Sequence, residues 1–268
     1  MQKIIEKLEN GITRVTVCDE RWYQKDQSGF VPSVTWIAGH YPKGTPFYKW
    51  LAEKGWDEAE AIKSSAGNKG SKVHSAIEDL ILGKEIKMDS KYMNRSTEQL
   101  EELSLEEYEC LMSFADWFNA TKPKVLRTEF VVFNDKEGYG GTVDLTCEID
   151  GKKYIVDFKT GQNVWPEYEL QLSAYKHAHE KPEEYSLAVL QIGYRRNKNK
   201  WKWTEFEDKY DLFLAAKKIW QNECGNQSPR VKDYPETIKL NKILDKIVEK
   251  VEVAPIKKTR KVRVKKAV

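Results

Sequence analysis

Asp144, Asp157 and Lys159, set around the dipeptide Asp150-Gly151, carry the plainest chemistry in this chain. Asp-Gly between two runs of alternating hydrophobicity signals a two-residue type I′ hairpin, whose turn residues must both take positive φ. With those two residues as the loop, facing positions have numbers that sum to 301, and 144 plus 157 is 301, so the two aspartates stand opposite each other. Counted outward from Ile149 and Lys152, they form a non-hydrogen-bonded pair with Cβ atoms about 5 Å apart. Two carboxylates at that distance repel by about 3 kcal/mol at an effective dielectric near 20, and a sheet gains nothing from the placement. A hard divalent cation, Mg²⁺ or Mn²⁺, is the natural compensation, since it takes carboxylate and carbonyl oxygens and keeps water for a substrate. Lys159 shares a face with Asp157 and stands where it could orient a water for attack on a phosphate. By charge alone, a solvent-facing hairpin in which Asp157 and Lys159 neutralise each other accounts for the same residues.

The elements that must position this group are set by periodicity. Alternation puts Val143, Leu145, Cys147 and Ile149 with Tyr154, Val156 and Phe158 on an apolar side, and Asp144, Thr146, Glu148, Asp157 and Lys159 on the other; a slip of one residue would bury the acids. Phe130, Val132 and Phe133 suggest a strand before the hairpin. Upstream, residues 12–37 read as short strands with a turn at 27–29, handing over to helical pattern after Pro32. Asp57 with Glu60 resembles a capping box, Gly67 and Gly70 interrupt the helical pattern beyond it, and a second helix is expected over 71–82. Residues 84–99 show no period and read as a polar loop. Ser104 with Glu107 opens a helix that stops at Pro123. Beyond the hairpin come a helix over 167–180, strands over 186–194 and 201–206, and helices over 208–224 and 236–250. This order argues for an α/β or α+β sheet with helices on its faces.

At 268 residues the chain can bury a large core, and a net charge of +3 announces no polyanion partner by itself. The last thirteen residues, IKKTRKVRVKKAV, hold seven Lys or Arg and no acid, which suits either an arm drawn to polyanions or a solvated tail. Cys18, Cys110, Cys147 and Cys224 form no C-x-x-C pair, so neither a zinc site nor a disulfide framework is signalled. No apolar run is long enough for a membrane span. The start, MQKIIEKLEN, alternates charge with apolar residues and lacks a secretory signal, so a cytoplasmic location is expected.

Gly141-Thr142-Val143-Asp144, then Ile155-Val156-Asp157-Phe158-Lys159-Thr160-Gly161, then Gln171 and Tyr175 in QLSAY, resemble the RecB-type branch of the PD-(D/E)XK nuclease superfamily. Pro32-Ser33-Val34-Thr35 and Gly70-Ser71-Lys72-Val73-His74 look like the amino-terminal signatures of mitochondrial genome maintenance exonucleases and related phage nucleases. The resemblance covers roughly residues 20–195. Val143 stands where the superfamily's nominal motif has proline.

This resemblance implies a restriction-endonuclease-like core with a mixed central sheet flanked by helices. Residues 1–125 would contribute His74, 126–225 the catalytic core, and 226–268 a helix and the basic tail, all as one integrated domain. It further implies metal ligation by His74, Asp144, Asp157 and the Phe158 carbonyl, with Glu129 at an acidic position near the metals and Lys159 as the catalytic lysine. Glu129 also reads as an ordinary strand glutamate, and His74 as a helix-edge histidine. Gln171 and Tyr175, four apart on one helix face, would approach the scissile phosphate or brace the lysine. The four dispersed cysteines do not supply the thiolates of an iron–sulfur cluster, so none is expected.

The implied activity is Mg²⁺-dependent hydrolysis of DNA, on single strands with a free end. The alternatives are a double-strand exonuclease of phage recombination systems and a nucleic-acid-binding module without catalysis. Trp36, Trp50 and Trp56 among Lys43, Lys49 and Lys54 offer stacking and phosphate contacts. Arg195, Arg196, Lys198, Lys200 and Lys202 around Trp201 and Trp203 form a second candidate contact, or a solvated turn. No stretch identifies a recombination or replication protein as a partner.

Overall fold

The structure, a computed structural model, describes residues 3–17, 20–26 and 28–229. The expected helix over 236–250 and the basic tail lie outside the described residues.

A five-stranded mixed sheet carries the chemistry. It is built from β7 (Lys124–Asn134), β8 (Tyr139–Ile149), β9 (Lys152–Lys159), β10 (Tyr185–Ile192) and β11 (Trp201–Phe206), in the order β11-β10-β9-β8-β7. β7, β8 and β9 form an antiparallel meander. The β8–β9 ladder pairs Ile149 with Lys152 and Leu145 with Val156, which is the expected register. Asp150 and Gly151 both take positive φ, 49° and 80°, as a type I′ turn requires. β9 and β10 run parallel, so the chain between them must cross over, and it does so through α5 (Pro166–His177).

That crossover changes one expectation. Leu145, Cys147, Tyr154, Val156 and Phe158 do face a common core, closed by α3 (Trp56–Ile81) and α4 (Leu105–Thr121). The opposite face is not open to solvent, because α5 lies on it: Thr146, Ile155 and Asp157 there are only 1%, 0% and 2% exposed. The acids are therefore buried in the correct register as well, and burial does not distinguish it from a slipped one. Parallel pairing demands this, since its connecting helix must lie on a sheet face.

Three other expectations change. Residues 56–81 form one continuous helix through Gly67 and Gly70, so the expected break is absent; each interior glycine costs about 1 kcal/mol, which burial of Val73, Ala76 and Ile77 offsets. Its N-cap is Gly55, and Asp57 sits in the first turn without forming a capping box. Residues 91–102 form a hairpin, β5 (Lys91–Asn94) and β6 (Gln99–Glu102), anchored by buried Tyr92, where the sequence reads as loop as far as residue 99; a single anchoring aromatic leaves no detectable period. The capping box at Ser104 and Glu107 forms as expected.

A second sheet, β1 (Lys3–Lys7), β2 (Ile12–Val17), β3 (Glu20–Lys25) and β4 (Val31–Pro32), leads into the short α1 (Val34–Ala38). Its first strand lies in the opening stretch where charge alternates with apolar residues. The sheet docks on β8 at the paired glycines. A Cβ on Gly140 would come 2.7 Å from Cγ of Tyr23, and one on Gly141 would come 2.5 Å from Cε1 of Tyr175 on α5. Both rings lie against bare backbone just ahead of Asp144, so the glycines set where the site's two covers sit. Gly140→Ala and Gly141→Ala should each lower thermal stability by about 1–3 kcal/mol through overpacking. Unchanged melting of both variants would contradict this packing.

Candidate metal centre

Three acids lie side by side on three neighbouring strands. Asp144 occupies the step beyond Leu145–Val156, where the register brings it opposite Asp157 on β9. On the other side the β7–β8 ladder pairs Thr128 with Leu145 and Phe130 with Val143, and the skipped step between them is Glu129 with Asp144. Glu129 has φ +46°, a left-handed conformation that a non-glycine residue in a strand adopts only under constraint. The Thr128 hydroxyl, donating to the Asp144 carbonyl at 3.0 Å, ties the two strands together here.

α3 brings His74 over these strands. One ligand atom each from His74, Glu129 and Asp144 lie within 4.8 Å of one another. His74 Nδ1 is 3.3 Å from Asp144 Oδ1 and 3.8 Å from Glu129 Oε1, while its Nε2 lies 3.1 Å from the Phe158 carbonyl. The second Asp144 oxygen accepts the Phe158 backbone N–H at 2.7 Å. The His74 and Glu129 side chains stay 25% and 23% exposed, so the centre can be reached from outside.

Asp157 faces a different set of partners. Its Oδ1 accepts from Gln171 Nε2 at 2.8 Å, and that amide also donates to the Tyr175 hydroxyl at 2.9 Å. Its Oδ2 lies 2.6 Å from Lys159 Nζ, and that ammonium sits 4.5 Å from the centre of the Tyr168 ring. Gln171 thus braces the aspartate and not the lysine. Tyr168 was missed from sequence, although it precedes Gln171 by three residues on the same helix face, a spacing that would have found it.

The electrostatics describe an excess of acid. Burial lifts the Glu129 carboxyl to about 8, with Asp144 adding to the rise. Burial likewise lifts Asp157 to about 6 against the pull of Lys159. For His74 burial works against the charge, but Asp144 and Glu129 overcome it and raise the imidazole to about 9. Asp144 is held below its ordinary value, because the His74 charge and hydrogen bond outweigh burial. Lys159 stays protonated, since Asp157 and Asp144 outweigh its desolvation.

A divalent cation fits these residues. Glu129 Oε1 is buried with no hydrogen-bond partner, and a strained backbone aims that carboxylate at two further donors. An imidazole nitrogen with carboxylate oxygens makes a donor set for a divalent cation. In the metal-free protein the proton on His74 occupies the place of that charge.

The other expected contacts divide. Trp56 is 68% exposed, whereas Trp50 packs on Phe47 and Trp36 packs edge-on to Trp22 and Trp220. Lys43 pairs with Glu167 and Lys54 with Glu58. In the turn before β11, Arg195 and Lys200 pair with Glu106 and Glu109 of α4, and Trp203 stacks on Trp117 in the core. Two of the five cations are therefore answered by acids distant in sequence, and Arg196 donates to the Asn163 side-chain oxygen. Among the described residues no helix is long and apolar enough to cross a membrane.

The raised pKa values give a stability test. The contribution of Glu129 is fully present below about pH 4.5 and is lost as pH rises through about 8; that of His74 is fully present below about 6.5 and is lost as pH rises through about 9. The metal-free protein should therefore melt lower at about pH 9 than at about pH 6.5. Saturating Mn²⁺ should raise Tm more at the higher pH, because it replaces a proton. Glu129→Gln should melt higher than wild type at about pH 9 without metal and lose most of the cation's effect. A cation shift equal at both pH values and intact in Glu129→Gln would rule the centre out.

No family model matches the chain, and no curated protein matches it. It is similar to the crystal structure of an alkaline exonuclease from Laribacter hongkongensis, at 12% identity over 82% of this chain and 92% of that one, with a TM-score of 0.36. A likeness that loose carries no weight for function, which has to be read from the side chains.

Proposed function

We propose that this chain is a metal-dependent DNA nuclease with a PD-(D/E)XK core of the RecB type, acting as an exonuclease on single-stranded ends with Mg²⁺ or Mn²⁺. The observation that carries the reading is the row of Glu129, Asp144 and Asp157 across β7, β8 and β9, with His74 on one side and protonated Lys159 on the other. Such a row is costly in a metal-free fold and useful to an enzyme that holds a cation against a phosphodiester.

His74, Glu129 and Asp144 would hold the ion, with Asp157 and the Phe158 carbonyl beside them. When bound, the cation supplies Lewis-acid polarisation of the phosphate and acidifies a water. Lys159, a retained ammonium on the outer side of Asp157, neutralises charge that develops on the phosphate oxygens as the bond to water forms. Gln171 holds Asp157 in place, and Tyr175, wedged against Gly141, holds Gln171. Tyr168 confines the lysine from the other side. The preference for single-stranded ends is supported by the resemblance of the His74, D-F-K-T-G and QLSAY segments to that branch of nucleases.

Purified protein should digest linear single-stranded DNA in Mg²⁺, stop in EDTA, and leave single-stranded circles intact. Lys159→Ala and Asp144→Asn, assayed at a temperature where both remain folded, should each lower kcat by roughly 100-fold or more. Cleavage that survives chelation, or a Lys159→Ala variant with wild-type kcat, would exclude the proposal. Cutting of circles would exclude the exonuclease part alone.

A further inference from the structure

A cleft of about 710 Å³ lies beside the metal centre and takes no part in the proposed cleavage chemistry. Its walls come from β2 and β3, α1, the β5–β6 turn and α3. Three cations line it, Lys63 from α3, Arg21 from β3 and Arg95 from the β5–β6 turn, so the two arginines stand on walls other than α3. Among the described residues neither arginine has a carboxylate within ion-pairing distance. Arg14 next to them is already held by Glu6 through two contacts of 2.7 and 2.9 Å. The acids that line the cleft are Glu20 and Glu60, the latter 3.5 Å from Lys63. Burial and then the neighbouring charges of Arg21 and Arg14 lower the pKa of Arg95, the mark of cations gathered without enough anion. The turn that carries Arg95 is fixed in place, since Asn68 of α3 donates to the Ser96 hydroxyl at 2.6 Å.

The α3 wall has a second feature. Ser64, Gly67 and Ser71 recur at helical spacing on one stripe, and the next member of that stripe is His74. A Cβ on Gly67 would meet nothing within 4 Å, so no packing inside the protein calls for a glycine there. Mid-helix glycine is costly, and one facing an open cleft suits the close approach of something outside the chain. From Gly67 to His74 the axis rises only about 10 Å. Across the cleft, Trp36 is held edge-on between Trp22 at 4.9 Å and Trp220 at 5.3 Å, which leaves a fixed indole at the wall.

We propose that this cleft is a phosphate-binding site for the DNA strand, in which Arg21 and Arg95 hold a backbone or terminal phosphate and Trp36 receives a base, just before the strand reaches His74. The proposal rests on the nuclease reading. Guanidinium pairs grip phosphate oxygens by charge-assisted hydrogen bonds, and an aromatic platform beside them is what a single strand uses.

The test is steady-state cleavage of linear single-stranded oligonucleotides in Mg²⁺ at several salt concentrations, with KM and kcat measured separately. Arg21→Gln and Arg95→Gln should each raise KM roughly tenfold, leave kcat within about twofold, and lower the salt slope by about 0.7. Gly67→Leu should raise KM similarly while its melting temperature holds or rises, since leucine is the better helix former. A purely structural role would show the gain in melting temperature with KM unchanged. Oligonucleotides ending in 5′-phosphate, 5′-hydroxyl or 3′-phosphate separate the two sources: an effect confined to one phosphorylated end assigns a terminal monoester, and an equal effect on all three assigns an internal diester. Folded variants with wild-type KM and salt slope would overturn the cleft assignment and leave the nuclease reading standing. A wild-type protein that neither cuts nor binds DNA would remove both.

Discussion

Like charges that strand register forces together, in a place where water cannot separate them, govern this molecule. Glu129, Asp144 and Asp157 occupy adjacent strands of one sheet, and α5 and α3 close over the faces on which they lie. No arrangement of protons removes the conflict completely. His74 takes a proton, Glu129 is driven toward its neutral acid, and Lys159 lends its charge to Asp157. Each of these responses opposes a desolvation cost that grows as the site closes. A divalent ion would resolve the same conflict with one charge in one place, which makes these donors a candidate coordination shell.

The rest of the fold holds that shell rigid. Glu129 keeps an unfavourable backbone conformation because ladder pairs on both sides of it fix the strand. The Gln171 amide reaches Asp157 and Tyr175 at once, and the Tyr175 ring is seated only because residue 141 has no side chain. On the far side of β8 the Tyr23 ring uses Gly140 in the same way, which couples the amino-terminal sheet to the strand that bears Asp144. The strain at Glu129 is therefore supported by ordinary packing around it.

Surface charge is organised by the same logic. Arg195 and Lys200 in the turn before β11 are answered by acids of α4, and Lys43 and Lys54, at the two ends of α2 (Thr45–Lys54), have carboxylate partners. Arg95 stands out because its strongest electrostatic neighbours are two other arginines, Arg21 and Arg14. On the proposed nuclease reading, positive charge gathered in this way would supply electrostatic guidance for a polyanion.

The sequence by itself determined the hairpin. Asp150-Gly151, the alternation on both sides and the sum of facing numbers set which residues meet, because a two-residue turn leaves no freedom of register. The capping box at Ser104 and the stretch from Lys152 to Lys159 were legible for the same reason, as local rules with few solutions. What only the tertiary structure decided is everything that depends on residues distant in sequence. It placed α5 on the face that alternation alone would leave to solvent, carried α3 unbroken through two glycines, and made a hairpin of residues 91–102 on the strength of one buried tyrosine. It also gave Gln171 to Asp157 and Tyr168 to Lys159, and gathered arginines 21 and 95 into one cleft. Periodicity reports which side of an element is apolar, but not what covers the other side, and neighbours across that gap are chosen by packing alone.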